Sequence, residues 1–274
     1  MHPVLFKIGS FDVPTYGFLL ALALIAALVT VVKIGRREGM DTNRLIDFST
    51  WIILVALLGA KVLMIISDYR DFNTLGKIFS LATLQAGGVF YGGFIAAVFF
   101  SWWYTRKHKM PVLKVFDVYA PAIALGQTIG RWGCFSAGDD YGKVTSSFIG
   151  VVFTNPYAHQ IGGVPLGVKV YPVQLFESAA TLIIFGILLW QFRHKTRDGQ
   201  IFLLYLTLYA VARFFLEFFR GDPDRGFVFN HLLSTSQFIA ILAIIAAGII
   251  YGTAYRGQRA RQAAERVAPQ AKRA

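Results

Sequence analysis

The sequence predicts an all-α polytopic membrane protein of seven transmembrane helices, with a small outer head formed by the connector 136–170. Three observations predict it. The chain is 55% hydrophobic with a mean hydropathy of +0.54, too apolar for a soluble domain. Residues 13–32 carry no charge, matching the roughly 20 apolar residues that a helix needs to cross the hydrocarbon core. The Lys and Arg residues gather in alternate connectors, as membrane topology requires.

The seven spans fall at about 13–34, 46–67, 86–105, 112–133, 171–192, 200–219 and 233–255. The first is read as a retained anchor and not a signal peptide: basic residues follow it, and no small-residue cleavage site closes it. Lys33 to Arg44, Arg106 to Lys114, Arg193 to Arg197 and the tail from Arg256 hold 17 Lys and Arg; the opposite side, with Lys7, Arg70, Lys77, Lys143, Lys169, Arg220 and Arg225, holds seven. The positive-inside rule then places the C-terminus in the cytoplasm and the N-terminus outside. The connector 136–170 is rich in Gly, Ser, Thr and Val and carries the strand-like FIGVVF, then NPYAH and the turn-like GGVP. The chain reads as one integral-membrane domain, 1–274, whose basic tail from about 256 lies near anionic lipid.

Several function classes are excluded. A single cysteine allows no internal disulfide, and the histidines at 2, 108, 159, 194 and 231 lack helical pairing, so no metal site is expected. The net charge of +12 is scattered between apolar spans instead of forming one patch, which argues against nucleic acid. The last span lacks the lysine that a retinal protein needs.

Ionisable groups inside spans are costly and mark function. Lys61, Glu177, Arg213, Glu217 and Arg131, from spans two, four, five and six, all lie within about 10 Å of the outer boundary at 1.5 Å per residue, whereas Asp47 and Asp117 lie near the cytoplasmic end. Clustering at one depth predicts a shared polar chamber. In RFFLEFFR, spacings of four and three put Arg213, Glu217 and Arg220 on one helical face, either as a chamber wall or as an intrahelical ion pair. Arg131 sits in GRWGCFSAGDDYG, residues 130–142, where Gly130, Gly133, Gly138 and Gly142 permit tight turns and free backbone N–H groups beside a guanidinium. That chemistry suits phosphate, which arginine grips at two points, and at the outer interface a phosphate means a phospholipid head group. Tyr16 and Tyr91 lie at aromatic-belt depth, with Gly92 and Gly93 allowing close helix approach. Cys134 reads as a small buried filler, and two readings of Asp139 and Asp140 stand equal, substrate contact or turn capping.

These residues bring a family into view. GRWGCFSAGDDYG, TYG at Tyr16, YGG at Tyr91, YPVQLFE at 171–177 and RFFLEFFR at 213–220 stand in order, and with them the chain resembles the prolipoprotein diacylglyceryl transferases over nearly its whole length. The resemblance implies a multi-pass protein of the bacterial inner membrane with seven helices and a periplasmic head. It also implies transfer of diacylglyceryl from phosphatidylglycerol to the lipobox cysteine of a prolipoprotein signal peptide, with glycerol phosphate leaving and no cofactor. Carried over by position, Arg131 binds the lipid phosphate, Arg213 and Glu217 form the second essential element, and Tyr16 and Gly142 shape the site. Tyr91 joins the catalytic set, and Asp139, Cys134, Arg220, Glu177 and Lys61 join the substrate-binding set. Tyr91 stands where some members have histidine, Cys134 where others have asparagine, and Asp139 where others have glutamate. The rival class is a lipid or small-anion transporter, whose charges should continue toward the midplane instead of stopping near one face.

Overall fold

A computed structural model describes residues 3–9, 11–72, 74–78, 80, 83, 88–222, 226–229 and 232–271. The expected start of the third span at 86, and His2, Arg225 and His231, lie outside the described residues.

The chain opens with an antiparallel hairpin, β1 (Val4–Ile8) and β2 (Phe11–Pro14), closed at Gly9, whose φ of +61° costs glycine little. The sequence reading treated this stretch as a plain extramembrane end, because the alternation is too short to stand out. The N–H of Thr15 donates to the carbonyl of Pro3 at 2.8 Å, tying the hairpin to the start of α1 (Thr15–Arg37). Helix α2 (Thr42–Ser67) starts at Asp41, whose carboxylate accepts from the N–H groups of Asn43 and Arg44. Then come α3 (Phe90–Lys107), α4 (Val112–Ala137), the short α5 (Pro156–Gly162), α6 (Val173–Phe192), α7 (Gln200–Leu216) and α8 (Thr235–Ala271).

Among the described residues, six stretches are long and apolar enough to cross a membrane: α1, α2, α4, α6, α7 with the 3-10 turn that follows it, and Thr235–Thr253 of α8. The span expected third corresponds to α3, which has 18 residues and closes on Arg106 and Lys107; its tryptophans, tyrosines and basic end keep it out of that set. Helix α8 continues without a break into the basic tail, as far as Ala271.

Two compact units divide the chain, Met1–Ala27 with Tyr119–Ala274, and Leu28–Val118. In the second, α2 and α3 pack through small residues: a Cβ on Gly59 would come within 2.6 Å of the Gly92 carbonyl oxygen, and one on Gly93 within 2.8 Å of that of Ala56. Only glycine permits backbones that close, so Gly92 and Gly93 act as the sequence suggested. In the first unit, α4, α6 and α7 enclose a core of Ala120, Ala124, Ile184, Leu188, Ile201 and Tyr205. Between α4 and α6 the contact turns polar, with the Thr128 and Thr181 hydroxyls 3.0 Å apart and Ser178 donating to the Thr128 carbonyl. Large apolar side chains elsewhere stand exposed, Phe90 at 74% and Leu58 at 65% among them, as lipid-facing helices require.

The connector after α4 forms a small head. Asn155 caps α5, and β3 (Val151–Val152) pairs antiparallel with β4 (Lys169–Val170), so the strand expected at FIGVVF is present but only two residues long. Phe153, Ala158, Val164 and Val170 are its core, with Phe135 and Tyr141 packed against them.

Candidate active site

Helix α4 ends in the GRWGCFSAGDDYG segment, and its last turns carry Arg131 beside the start of α6 and the end of α7. Arg131 Nη2 lies 2.9 Å from Glu177 Oε1, and its Nη1 pairs with Asp140 Oδ2. Glu177, on α6 and almost fully buried, also faces Arg213 Nη1 at 3.7 Å and accepts from the Tyr209 hydroxyl at 3.1 Å. Arg213 Nη2 reaches Glu217 at 3.1 Å and the Ser236 hydroxyl at 3.2 Å, whereas its buried Nη1 has no hydrogen-bond acceptor among the described residues. Buried charges persist only when paired, so the network is obligatory once the arginines are placed here.

The face expected to carry Arg213, Glu217 and Arg220 together breaks after Leu216. Glu217–Phe219 tightens into a 3-10 turn and Arg220 becomes extended, at φ −67° and ψ 140°, forming a bridge with Gly142. Arg220 is therefore not a third residue on the face. It is 8% exposed, held by Asp140 Oδ1 at 2.5 Å and by Asp222 through two contacts of 2.7 and 2.5 Å. The backbone explains this capture: Lys143 N–H donates to the Phe219 carbonyl and Gly221 N–H to that of Tyr141, zipping the signature segment onto the loop after α7.

The signature glycines do not free N–H groups for an anion. Gly130 and Gly133 are helical, and the N–H groups beyond them donate internally: Gly138 to the Phe135 carbonyl, Asp139 to that of Cys134, Asp140 to the Asp139 carboxylate and Gly142 to the Tyr171 carbonyl. Their use is close packing. A Cβ on Gly142 would lie 2.6 Å from that of Tyr171, and one on Gly221 would lie 2.5 Å from the Gly142 oxygen. Of the groups expected to meet an anion, this leaves the guanidiniums.

Asp139 and Asp140 separate clearly. The Asp139 carboxylate caps the turn, and burial raises its pKa above the ordinary value, with repulsion from Asp140 adding to that. Burial pushes Asp140 the same way, but the Arg131 and Arg220 guanidiniums overcome it and hold the carboxyl below its usual range. Burial works against the charge of Arg220 too, yet its hydrogen bonds to Asp222 and the nearby Asp140 leave its pKa raised.

Of the other sequence-predicted residues, Tyr16 is the second residue of α1 and its ring lies 3.0 Å from where a Cβ on Gly133 would stand. Cys134 is half-buried, with Sγ 3.9 Å from Arg131 Nη1. Lys61 and Tyr91 belong to the second unit, where Lys61 donates to the Thr83 carbonyl and Tyr91 packs edge-on against Phe90. Sequence reasoning missed Tyr209 and Gln174. Tyr209 lies one turn before Arg213 on the face that Glu217 continues. Gln174, one turn before Glu177, is buried and donates to the Asp139 carbonyl at 2.6 Å. Extending each charged face by a turn would have found both.

The chain is similar to known proteins over most of its length. The chain is 36% identical over 252 residues to the phosphatidylglycerol–prolipoprotein diacylglyceryl transferase of Clostridium tetani, covering 92% of this chain and 97% of that protein. It is 35% identical over 261 residues to that of Finegoldia magna, covering 94% and 97%. The Chlorobaculum tepidum protein of the same name is 34% identical over 264 residues, covering 91% of this chain and 88% of that one. A family model described as prolipoprotein diacylglyceryl transferase matches residues 3–253, and the chain belongs to that family.

Proposed function

We propose that the protein transfers the diacylglyceryl group of phosphatidylglycerol to the lipobox cysteine thiol of a prolipoprotein, the first step of bacterial lipoprotein maturation. One observation carries the reading beyond family membership. Arg131, Arg213 and Arg220 converge from α4, α7 and the loop after it, and a buried Arg213 N–H has no hydrogen-bond acceptor among the described residues. Such a cluster at one end of membrane-spanning helices fits the phosphate of a lipid head group.

The thiol first gives its proton to water. A free thiol with a pKa near 8.5 is a few per cent thiolate at neutral pH, and nearby guanidiniums enlarge that fraction. The thiolate sulfur attacks the glyceryl carbon that bears the phosphate ester; the C–S bond forms as the C–O bond breaks, and the electron pair leaves on the phosphate oxygen of glycerol phosphate. Arg131 and Arg213 stabilise that developing charge, with Glu217 holding Arg213 in place. Tyr16 and Gly142 shape the site, Glu177 and Arg220 order its cations, and Asp139 with the head meets the signal peptide. Cys134 packs beside Arg131 and is no nucleophile. The protein spans the inner membrane seven times, α3 being the third span, with the N-terminus and the head periplasmic and the C-terminus cytoplasmic.

The test is a mass spectrum of a lipobox peptide incubated with the protein and phosphatidylglycerol. Gain of one diacylglyceryl group is the expected result. Lipid binding without any gain by the peptide overturns the transferase reading and leaves the transporter.

A further inference from the structure

The site's own charge balance leaves no room for another anion. Its guanidiniums, Arg131, Arg213 and Arg220, face the carboxylates of Asp140, Glu177, Glu217 and Asp222, three cations against four anions when all are ionised. A phosphodiester would add a further negative charge to a largely buried cluster, and uncompensated buried charge is strongly unfavourable. One carboxylate must therefore give way when the head group enters.

The four are not equally able to do so. Glu177 and Glu217 have side chains only 3% and 2% exposed, and Glu177 is also held by Tyr209. Asp222 is 13% exposed and grips Arg220 through two oxygens from two residues away. Asp140 is the most open, at 25%, and is carried by a connector instead of a helix. Its contacts also have the right shape: one carboxylate oxygen meets Arg131 Nη1 and the other meets Arg220 Nη2. The two unesterified oxygens of a phosphodiester would meet the same two donors in the same way.

We propose that Asp140 is a built-in counter-ion that fills the phosphate subsite between Arg131 and Arg220 and is displaced by the phosphodiester of the lipid donor. The inference rests on the transferase reading and assigns Asp140 a role at the same site. Asp140 competes with the lipid, so the apparent affinity is lower than the arginines alone would give, by the fraction of molecules in which the carboxylate has swung away. It also keeps the guanidiniums paired, and so solvated by the protein, between turnovers.

The test compares Asp140→Asn with the unaltered full-length protein, each in bilayer discs of zwitterionic lipid titrated with phosphatidylglycerol. Asp140 adopts φ +56°, which asparagine tolerates as readily as aspartate, so the exchange removes charge and leaves the backbone. Phosphatidylglycerol should bind about tenfold tighter to the variant, KM should fall while kcat does not rise, and diacylglycerol, which lacks phosphate, should bind both proteins alike. Asp140→Gly, also at ease at this φ, should tighten binding in the same direction and serves if the asparagine variant folds poorly. Weaker or unchanged binding in both variants makes Asp140 a strut that orients Arg131 and overturns the proposal. An equal gain for diacylglycerol overturns it as well. Absence of phosphatidylglycerol binding by every form, the unaltered protein included, overturns the transferase reading itself.

Discussion

The ion network on α4, α6 and α7 and the glycine seam of α2 and α3 hold helices together by opposite means. In the seam, backbones meet at van der Waals distance through Gly59, Gly92 and Gly93, and stability comes from close approach alone, since lipid offers apolar side chains as good a home as another helix does. In the network, charged groups are buried at a cost that only their mutual pairing offsets. Helices can be packed without charge, and on the proposed transferase reading the charge in the network serves chemistry. The seam tolerates no added atom, whereas the network depends on fork geometry and on each buried guanidinium keeping an anionic partner.

Exchanging one fork for a point charge breaks that comparison most sharply. Arg131→Lys should lose about a hundredfold in transfer rate, on the order of 3 kcal/mol, because lysine cannot serve Glu177 and, at the same time, Asp140 or the phosphate that takes its place. Arg213→Lys should match it, and Arg220→Lys, buried and triply held, should fall by about tenfold. Complementation of a transferase-depleted strain, with lipidated product measured at equal protein levels, reads all three. Full activity from Arg131→Lys would reduce that arginine to an anchor for α4.

The seam should respond differently. Gly92→Leu places a side chain against the Gly59 carbonyl and should lower the yield of folded protein in detergent by severalfold, while the molecules that do fold keep their ion network. Size-exclusion yield with activity per folded molecule checks this; normal yield would mean that α2 and α3 repack readily. Smallest of all, Cys134→Asn should keep the rate within about threefold, since the sulfur only packs beside Arg131. A lipid thioether trapped on Cys134 would contradict that.

Much of the network was legible in sequence because charge inside an apolar run is conspicuous at any distance from its partners. Arg131, Glu177, Arg213 and Glu217 were found by depth alone, and the structure joins them. Its geometry was less legible. Nothing local says that α7 tightens after Leu216, so Arg220 was assigned to a helical face when backbone pairing with Gly142 holds it. The glycines misled for a related reason: glycine marks close approach, and sequence cannot tell whether the approaching group is a ligand or the Tyr171 backbone. Tyr209 and Gln174, uncharged, gave no depth signal.

The zipper between residues 141–143 and 219–221 divides the head into a stretch of fixed length and a stretch that is free to grow. An insertion between Asp140 and Gly142 would shift the pairing register and carry Arg220 off its carboxylates. Beyond Thr145 the chain turns at Ser147–Gly150, where Phe148 is 93% exposed, and extra residues there would loop outward without touching either arginine. An epitope or fluorophore tag placed after Phe148 thus gives antibodies and probes a handle on the head while the site below keeps its spacing.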